Sequence, residues 1–397
     1  MRTRIFQALA AAAVGVAMAA PAQAEPLKIG ALMPMTGDLQ AFGEADLTGI
    51  QFAAQQINAA GGVNGEDIEV IVADTQTQPQ AGVDAAQKLI NVDGVHAIVG
   101  ALSSGVTIPV ARTVTSREGV AQISNASTSP TITTLEDNDF LFRSVPSDAF
   151  QGVALASLAE QKGVSNVSIM YVNNAYGQGL ADAFAEAFGG EVSASIAFEQ
   201  GQASYRGELQ QAAGGGAEAL VLIAYPESGS VILRQSLEGG YLDKFIFTDG
   251  MKAPEIIERV GAQFLNGAFG TVPQAKESQA LKVFRDAYIA EYGELPGKPY
   301  YDTAYDAAFA IALAAQKAGS NDREAIRDNL RDVANPPGEV ILPGEWEKAV
   351  QLLADGQDIN YEGAAGSVDF DEVGDVPGTI GHWEIQDGEI VDVALIE

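Results

Sequence analysis

The chain has 397 residues, with 53 acidic against 22 basic side chains, a net charge of −31 and no cysteine. That charge repels phosphate backbones and anionic lipid heads, which makes nucleic acid and membrane surfaces poor partners, and its plainer reading is solubility. The missing thiols exclude disulfides, cysteine nucleophiles, thiolate metal sites and an amino-terminal lipidated cysteine.

The first 24 residues read as a secretory signal peptide. Arg2 and Arg4 precede the apolar run "IFQALAAAAVGVAMAA", and the small residues Ala22 to Ala24 supply an A-x-A cleavage site before Glu25. The run is Ala-rich and shorter than the roughly 20 residues that a spanning helix needs. Export to the periplasm with cleavage after Ala24 is the expectation. What remains is long enough for two domains of roughly 150 residues or more.

Strands and helices then alternate. "LKIGALM" (27–33) is followed by a helical face of Leu47, Ile50, Ala54 and Ile57, ended by the glycines of "AAGGVNGED". Next come "IEVIVAD" (68–74), a helix over 79–91, "VHAIVGA" (95–101), a helix from 103, "GVAQIS" (119–124) and a short helix over 131–135. The alternation restarts after "FLFRSVPSD" (140–148). Helix 148–162 leads to "VSIMYV" (167–172), helix 177–188, "EVSASIAF" (191–198), helix 204–213, "ALVLIAY" (219–225), helix 228–238 and "KFIFTDG" (244–250). Apolar strands alternating with amphipathic helices predict parallel sheets covered on both faces, and this number of strands calls for two sheets.

"GAFGTVP" (267–273) reads as a connection, followed by helices over 277–292, 300–318 and 322–333. "ANPPGEVILPGEW" (334–346) reads as an inserted loop. The carboxyl-terminal stretch, with its Gly and Asp turns, predicts a hairpin.

Enzyme signatures are sparse. The two histidines, His96 in an apolar strand and His382 in the terminal hairpin, lack metal-ligand spacing and read as structural. No nucleophile elbow, Walker loop or HExxH occurs. "YGQGLAD" (176–182) begins like a dinucleotide fingerprint but has Asp182 where the third glycine belongs, so a tight turn into a helix is the better reading. "DFDEVGD" (369–375) has acidic spacing without the remaining calcium ligands and reads as a turn. No cofactor and no metal are expected.

Two groups of hydroxyls remain. "GALSSG" and "ISNASTSPTIT" each lie where a strand ends and a helix begins, which is where open parallel sheets bind ligands. Helix mouths favour anions without a basic residue, so Ser103, Ser104, Ser127 and Thr128 suit a carboxylate. The same residues are also preferred helix caps, and the local pattern leaves both readings open. In the second unit Tyr176, Tyr225 and Asp249 fall at equivalent strand ends. Facing an anion site, they complement a zwitterion, with Asp249 toward an ammonium and the rings covering apolar atoms.

At this point a family resemblance is specific. "KIGALMPMTGDLQAFGEADLTGIQFAAQQINAAGGVNG", "IVGALSSGVTIPVA", "ISNASTSPTIT", "NNAYGQGL", "AYPESG" and "GSVDFDEVGD" together resemble the leucine–isoleucine–valine (branched-chain amino acid) binding family, periplasmic solute-binding proteins of ABC importers with the type I periplasmic binding fold. The resemblance implies an α/β protein of two Rossmann-like lobes joined by a three-crossing hinge, with the ligand in the cleft. Lobe 1 would comprise 25–144 and 272–358, and lobe 2 would comprise 145–271 and 359–397. It places carboxylate-binding positions on Ser104 and Thr128, with backbone groups near Ser103, Ala126 and Ser127. The amine-facing acid falls on Asp249 with Tyr176 and Tyr225 nearby, and the aromatic position after the first strand falls on Phe42. Membrane permease subunits are the implied protein partner of a monomer.

The chain departs from the family pattern in three ways. Asp249 is one methylene shorter than the frequent glutamate, the disulfide of some members is absent, and the 334–358 region is longer than in compact members. The ligand classes left are leucine-like amino acids, then small or ω-amino acids, then aromatic carboxylates or short amides. A periplasmic sensor of the same fold is a rival reading. A hydrolase acting through Ser103 or Ser104 is another, although no base lies near either serine in the sequence.

Overall fold

The computed structural model describes residues 25–396, so the expected signal peptide lies outside the described residues. Strands β1 (Leu27–Met33), β2 (Ile68–Asp74), β3 (Ala97–Gly100), β4 (Ala121–Ser124) and β5 (Leu141–Arg143) form an all-parallel sheet in the order β2-β1-β3-β4-β5. Strands β6 (Asn166–Val172), β7 (Glu191–Phe198), β8 (Ala219–Ile223), β9 (Phe245–Phe247) and β10 (Phe269–Pro273) repeat that permutation as β7-β6-β8-β9-β10. The cause is visible in the strands. β3, β4 and β8 are buried along their whole length, as strands covered by helices on both faces must be. β7, at an edge, is only partly buried.

Helices flank both sheets. Leu47, Ile50, Ala54 and Ile57 are the buried face of helix Gln40–Ala59, as their spacing predicts. Helix Tyr301–Ala318 is buried almost all round and packs along it. After β3 the helix expected from 103 runs over Ser104–Val110, widens into a π turn at Ala111–Thr115 and ends at Gly119 in the left-handed region, φ 64°. Pro109 lies inside it and withholds a donor from the ladder, a known origin of such irregularity.

The stretch 267–273, expected as a connection, contains β10, a member of the second sheet. Its glycines hid the strand: a Cβ on Gly270 would lie 2.7 Å from Phe247 O and 2.9 Å from the Trp383 ring. The expected insertion at 334–358 is not a bare loop. It holds β11 (Glu339–Ile341) and helix Trp346–Ala354, and β11 pairs with β12 (Ile359–Gly363), which pairs in turn with β13 (Gly366–Ser367). Trp346 anchors it, buried edge-on to Phe309 with its indole N–H donating to Gly62 O at 3.1 Å. The expected lobe limits at 271/272 and 358/359 therefore fall inside β10 and at the start of β12. The hairpin of β14 (Ile380–Gln386) and β15 (Glu389–Ile396) is present and adds antiparallel to β10.

The chain passes between the two halves three times: after β5, after β10 and between β13 and β14. Two of the crossings are bound together. Arg143, fully buried, donates from Nε and Nη2 to Asp375 at 2.7 and 2.5 Å. Its Nη1 donates to the carbonyls of Thr128 and Ser129, both at 3.1 Å. "DFDEVGD" is thus a turn, closed by Asp371 accepting from the Val373 and Asp375 amides and carrying the acid that neutralises a buried guanidinium.

Candidate functional site

In both halves the β1/β3-type switch point opens a crevice beyond the carboxyl ends of the strands, the place such sheets bind ligands. The two crevices face each other across one cavity. Phe42, Ser104 and Ala126 line it from the first half, and Tyr176, Tyr225 and Asp249 from the second. Its volume is ≈ 20 Å³ at the scale of water centres, space for on the order of one or two waters, so the halves are drawn together. Gly105 permits the approach, since a Cβ there would sit 2.8 Å from Asn174 Cβ.

The hydroxyls of the first half do not cap their own helices. Ser103 is the N-cap of helix Ser104–Val110 but makes no side-chain cap bond. Its Oγ lies 2.9 Å from the Tyr225 hydroxyl across the cleft. Ser127 Oγ donates to the Leu102 carbonyl at 2.9 Å, and Thr128 Oγ1 donates to Asp148 at 2.7 Å. These three are buried beside the cavity rather than lining it. Ser104 differs. Its Oγ accepts from the Ser129 amide at 3.3 Å, which leaves its own hydrogen to donate into the cavity.

Asp249 is the point of convergence, with Gln151 and Tyr176 from its own half and Tyr300 from the first half. Gln151 Nε2 and the Tyr176 hydroxyl donate to its Oδ1, both at 2.9 Å, and the Tyr300 hydroxyl donates to Oδ2 at 2.8 Å. A carboxylate has about four acceptor positions, so one remains for a donor in the cavity. Tyr176 is aimed by Asn174, which caps helix Ala175–Ala187 by accepting from the Tyr176 and Gly177 amides at 3.0 Å. The Tyr176 and Tyr225 rings stack with centroids 5.6 Å apart and an interplanar angle of 12°.

Burial sets the electrostatics. Desolvation raises Asp249 above the ordinary carboxylate range, opposed by the donors from Tyr300, Gln151 and Tyr176. Asp148, fully buried nearby, is raised well above that range by desolvation and then by the charge of Asp249. Tyr176 and Tyr300 are also pushed well up, first by burial and then by Asp249, so both stay protonated as donors. The cavity is therefore neutral and hydroxylic at one end and holds a desolvated acid at the other.

Gln151, Asp148 and Tyr300 escaped the sequence reading. Asp148 and Gln151 open a helix, where an acid is ordinary, and only the three-dimensional approach of β9 gives them a role. Tyr300, in "GKPYY", adopts φ 80° at the start of its helix, and that left-handed turn swings its ring into the cavity. His96 accepts from the Lys28 amide at 3.0 Å and His382 stands edge-on to Phe269, both away from the cavity.

A periplasmic binding protein family model matches residues 26–349. The chain is 30% identical over 334 residues to the leucine-, isoleucine-, valine-, threonine- and alanine-binding protein of Pseudomonas aeruginosa, covering 83% of this chain and 87% of that one. It is 28% identical over 354 residues to the chemotactic signal transduction system substrate-binding protein BasB of Halobacterium salinarum, covering 87% and 84%. Among solved structures, the leucine-binding protein LivK of Thermotoga maritima matches with a TM-score of 0.79 at 27% identity, covering 94% of this chain and 99% of that one. With two like-wound halves facing across a cleft and a family match over most of its length, the chain belongs to the periplasmic binding protein family.

Proposed function

We propose that this protein is the extracytoplasmic substrate-binding component of an ABC importer and captures a branched-chain or related small amino acid by closing its two halves. The observation that carries the reading is that Ser104 and Asp249, from opposite sheets, line one cavity. The ligand carboxylate docks at the first half, on the Ser104 hydroxyl and the backbone around Ala126 to Thr128. Its ammonium takes the remaining position on Asp249, and Phe42, Tyr176 and Tyr225 cover its apolar atoms. The small cavity means that the ligand enters only as the halves part. Each hydrogen bond to a charged group contributes about 1.5–3 kcal/mol, and micromolar affinity needs about 8 kcal/mol, so a handful suffices. Closure then presents both halves to permease subunits in the membrane. The protein acts as a monomer in the periplasm after cleavage behind Ala24. It acts by binding alone: among the described residues the partner of the Ser104 hydroxyl is the Ser129 amide, which is no base.

Titration calorimetry with L-leucine, L-isoleucine, L-valine, L-threonine, L-alanine and benzoate tests the reading. Micromolar binding of one or more amino acids is expected. Binding of benzoate alone would move the protein to the aromatic carboxylate class. A second reading, a ligand sensor, is favoured by the likeness to the chemotactic substrate-binding protein. Pull-down of a membrane receptor in place of a permease would select it.

A further inference from the structure

The helix Pro226–Gly239 begins at the cavity, directly after Tyr225, yet it lacks a cap of its own. Tyr225 is its N-cap residue and makes no side-chain cap bond, so the first-turn amides have no local acceptor. The acceptor comes from the other half. The carboxylate of Asp38, 190 positions earlier, accepts from the Ser228 hydroxyl in the first turn. The Ser228 amide also favours its charged form. Ser228 is tied into its own half, since its Oγ accepts from the Gly201 amide at 3.1 Å and from the Tyr205 hydroxyl at 3.0 Å.

Asp38 is delivered by a stiff loop. Gly37 adopts φ 88° against the turn after β2, where a Cβ would fall 2.2 Å from Gln76 O. The Leu39 amide donates to Thr77 Oγ1 at 3.0 Å. Two flanking contacts cross the same seam: Gln40 Nε2 to Glu227 Oε1 at 3.0 Å, and Gln200 Nε2 to the Thr77 carbonyl at 3.2 Å. Asp38 is only 8% exposed and does not line the ligand cavity, although its neighbour Leu39 does.

We infer that Asp38 is a closure latch: an acceptor supplied across the cleft to the first turn of this helix through the Ser228 hydroxyl, complete only when the two halves meet, which favours the closed form without touching the ligand. The inference rests on the closure reading above. A ligand that closes the halves also restores the cap, and losing the cap lowers the apparent affinity for every ligand by the same factor. Local caps are worth about 0.5–2 kcal/mol, which corresponds to a factor of about 2–30 in the dissociation constant.

The absence of cysteine allows a clean test. Nitroxide labels on Gln78→Cys and Gln202→Cys, exposed on opposite sides of the seam, report the separation of the halves by pulsed electron paramagnetic resonance. L-Leucine should convert the parent pair from a longer to a shorter distance. Asp38→Ala should shift the midpoint of that titration about 2–30-fold to higher leucine. Asp38→Asn, still a good cap, should recover most of the shift. Ser228→Ala should act in the same direction, and the double variant Asp38→Ala/Ser228→Ala should add little, which keeps the test alive if Asp38→Ala alone proves too unstable to purify. Calorimetry should give equal factors for L-leucine and L-valine. Should leucine not bind, the titration uses whichever of the five amino acids calorimetry shows to bind; if a bound amino acid fails to shorten the distance in the parent, the closure reading falls and the latch with it. If the parent shortens and Asp38→Ala keeps the parent midpoint, the latch alone is overturned.

Discussion

The two halves share one strand permutation and bring corresponding loops to the cavity, but they fill them with opposite chemistry. After the third and fourth strands of the first sheet come Ser104 and Ala126; after the third and fourth of the second come Tyr225 and Asp249. In the first half Ser127 is engaged internally, Thr128 is spent on Asp148 of the second half, and Ser104 is left to donate. The second half gathers Gln151 and Tyr176 around one desolvated acid, and Tyr300 of the first half adds a third donor. One strand permutation can thus present hydroxyls at one wall of the cavity and a desolvated acid at the other, and side chains at matched positions decide which.

The comparison breaks most readily at its charged end. Asp249→Ala removes the only proposed ammonium partner and takes an acceptor from Tyr300, while Gln151 keeps the Thr271 carbonyl and Tyr176 keeps the Thr248 hydroxyl. Affinity for the amino acid should fall by at least about thirtyfold, since losing one partner of a buried charge pair costs about 2–5 kcal/mol. Calorimetry reads this directly, and an unchanged dissociation constant would remove Asp249 from the site. Ser104→Ala deletes one donor to a carboxylate and should weaken binding about tenfold with the melting temperature held, in line with about 1.5 kcal/mol for such a bond.

The acid end also predicts a slope with pH. Burial raises Asp249, so on acidification it takes up a proton earlier than an exposed aspartate. The ligand ammonium needs the charged carboxylate, so affinity should rise with pH, beginning to climb only above the ordinary carboxylate range, and level off once Asp249 is charged. Asp249→Asn should flatten that profile, and a wild-type affinity that falls as pH rises would contradict the sign. The smallest effect belongs to Thr128→Val. Its hydroxyl serves Asp148. The expected change in affinity is under about twofold, while the protein loses about 1–3 kcal/mol of stability from an unsatisfied buried acid, read by denaturant unfolding.

Much of this was legible in the sequence because period and punctuation agreed. Leu27–Met33, Ile68–Asp74 and the helix over 79–91 stand where their residues predict. Ser104, Tyr176, Tyr225 and Asp249 meet at one cavity because strand ends were the right places to look, and Phe42 and Ala126, which only the family resemblance supplied, line it with them. The misses have physical reasons. β10 reads as a linker because Gly267 and Gly270 mask a strand whose partners are 20 or more residues away in sequence. Helix Trp346–Ala354 follows a Pro- and Gly-rich stretch and is held by Gly62 and Phe309, contacts that no local pattern encodes. Tyr300 reaches Asp249 through a left-handed turn that its sequence neighbours do not announce.

Arg143 ties the Thr128 and Ser129 carbonyls to Asp375 in another crossing, so the loop after β4 is fixed to the pivot itself. On the closure reading, that half is ready before any solute arrives, and the Asp249 half is what swings. Encounter and departure are then governed by different walls. Association should track the stationary wall and vary little among substitutions around Asp249, whereas residence time should be set by the swinging wall, so that selectivity between amino acids is expressed in how long each is kept rather than how fast each is caught.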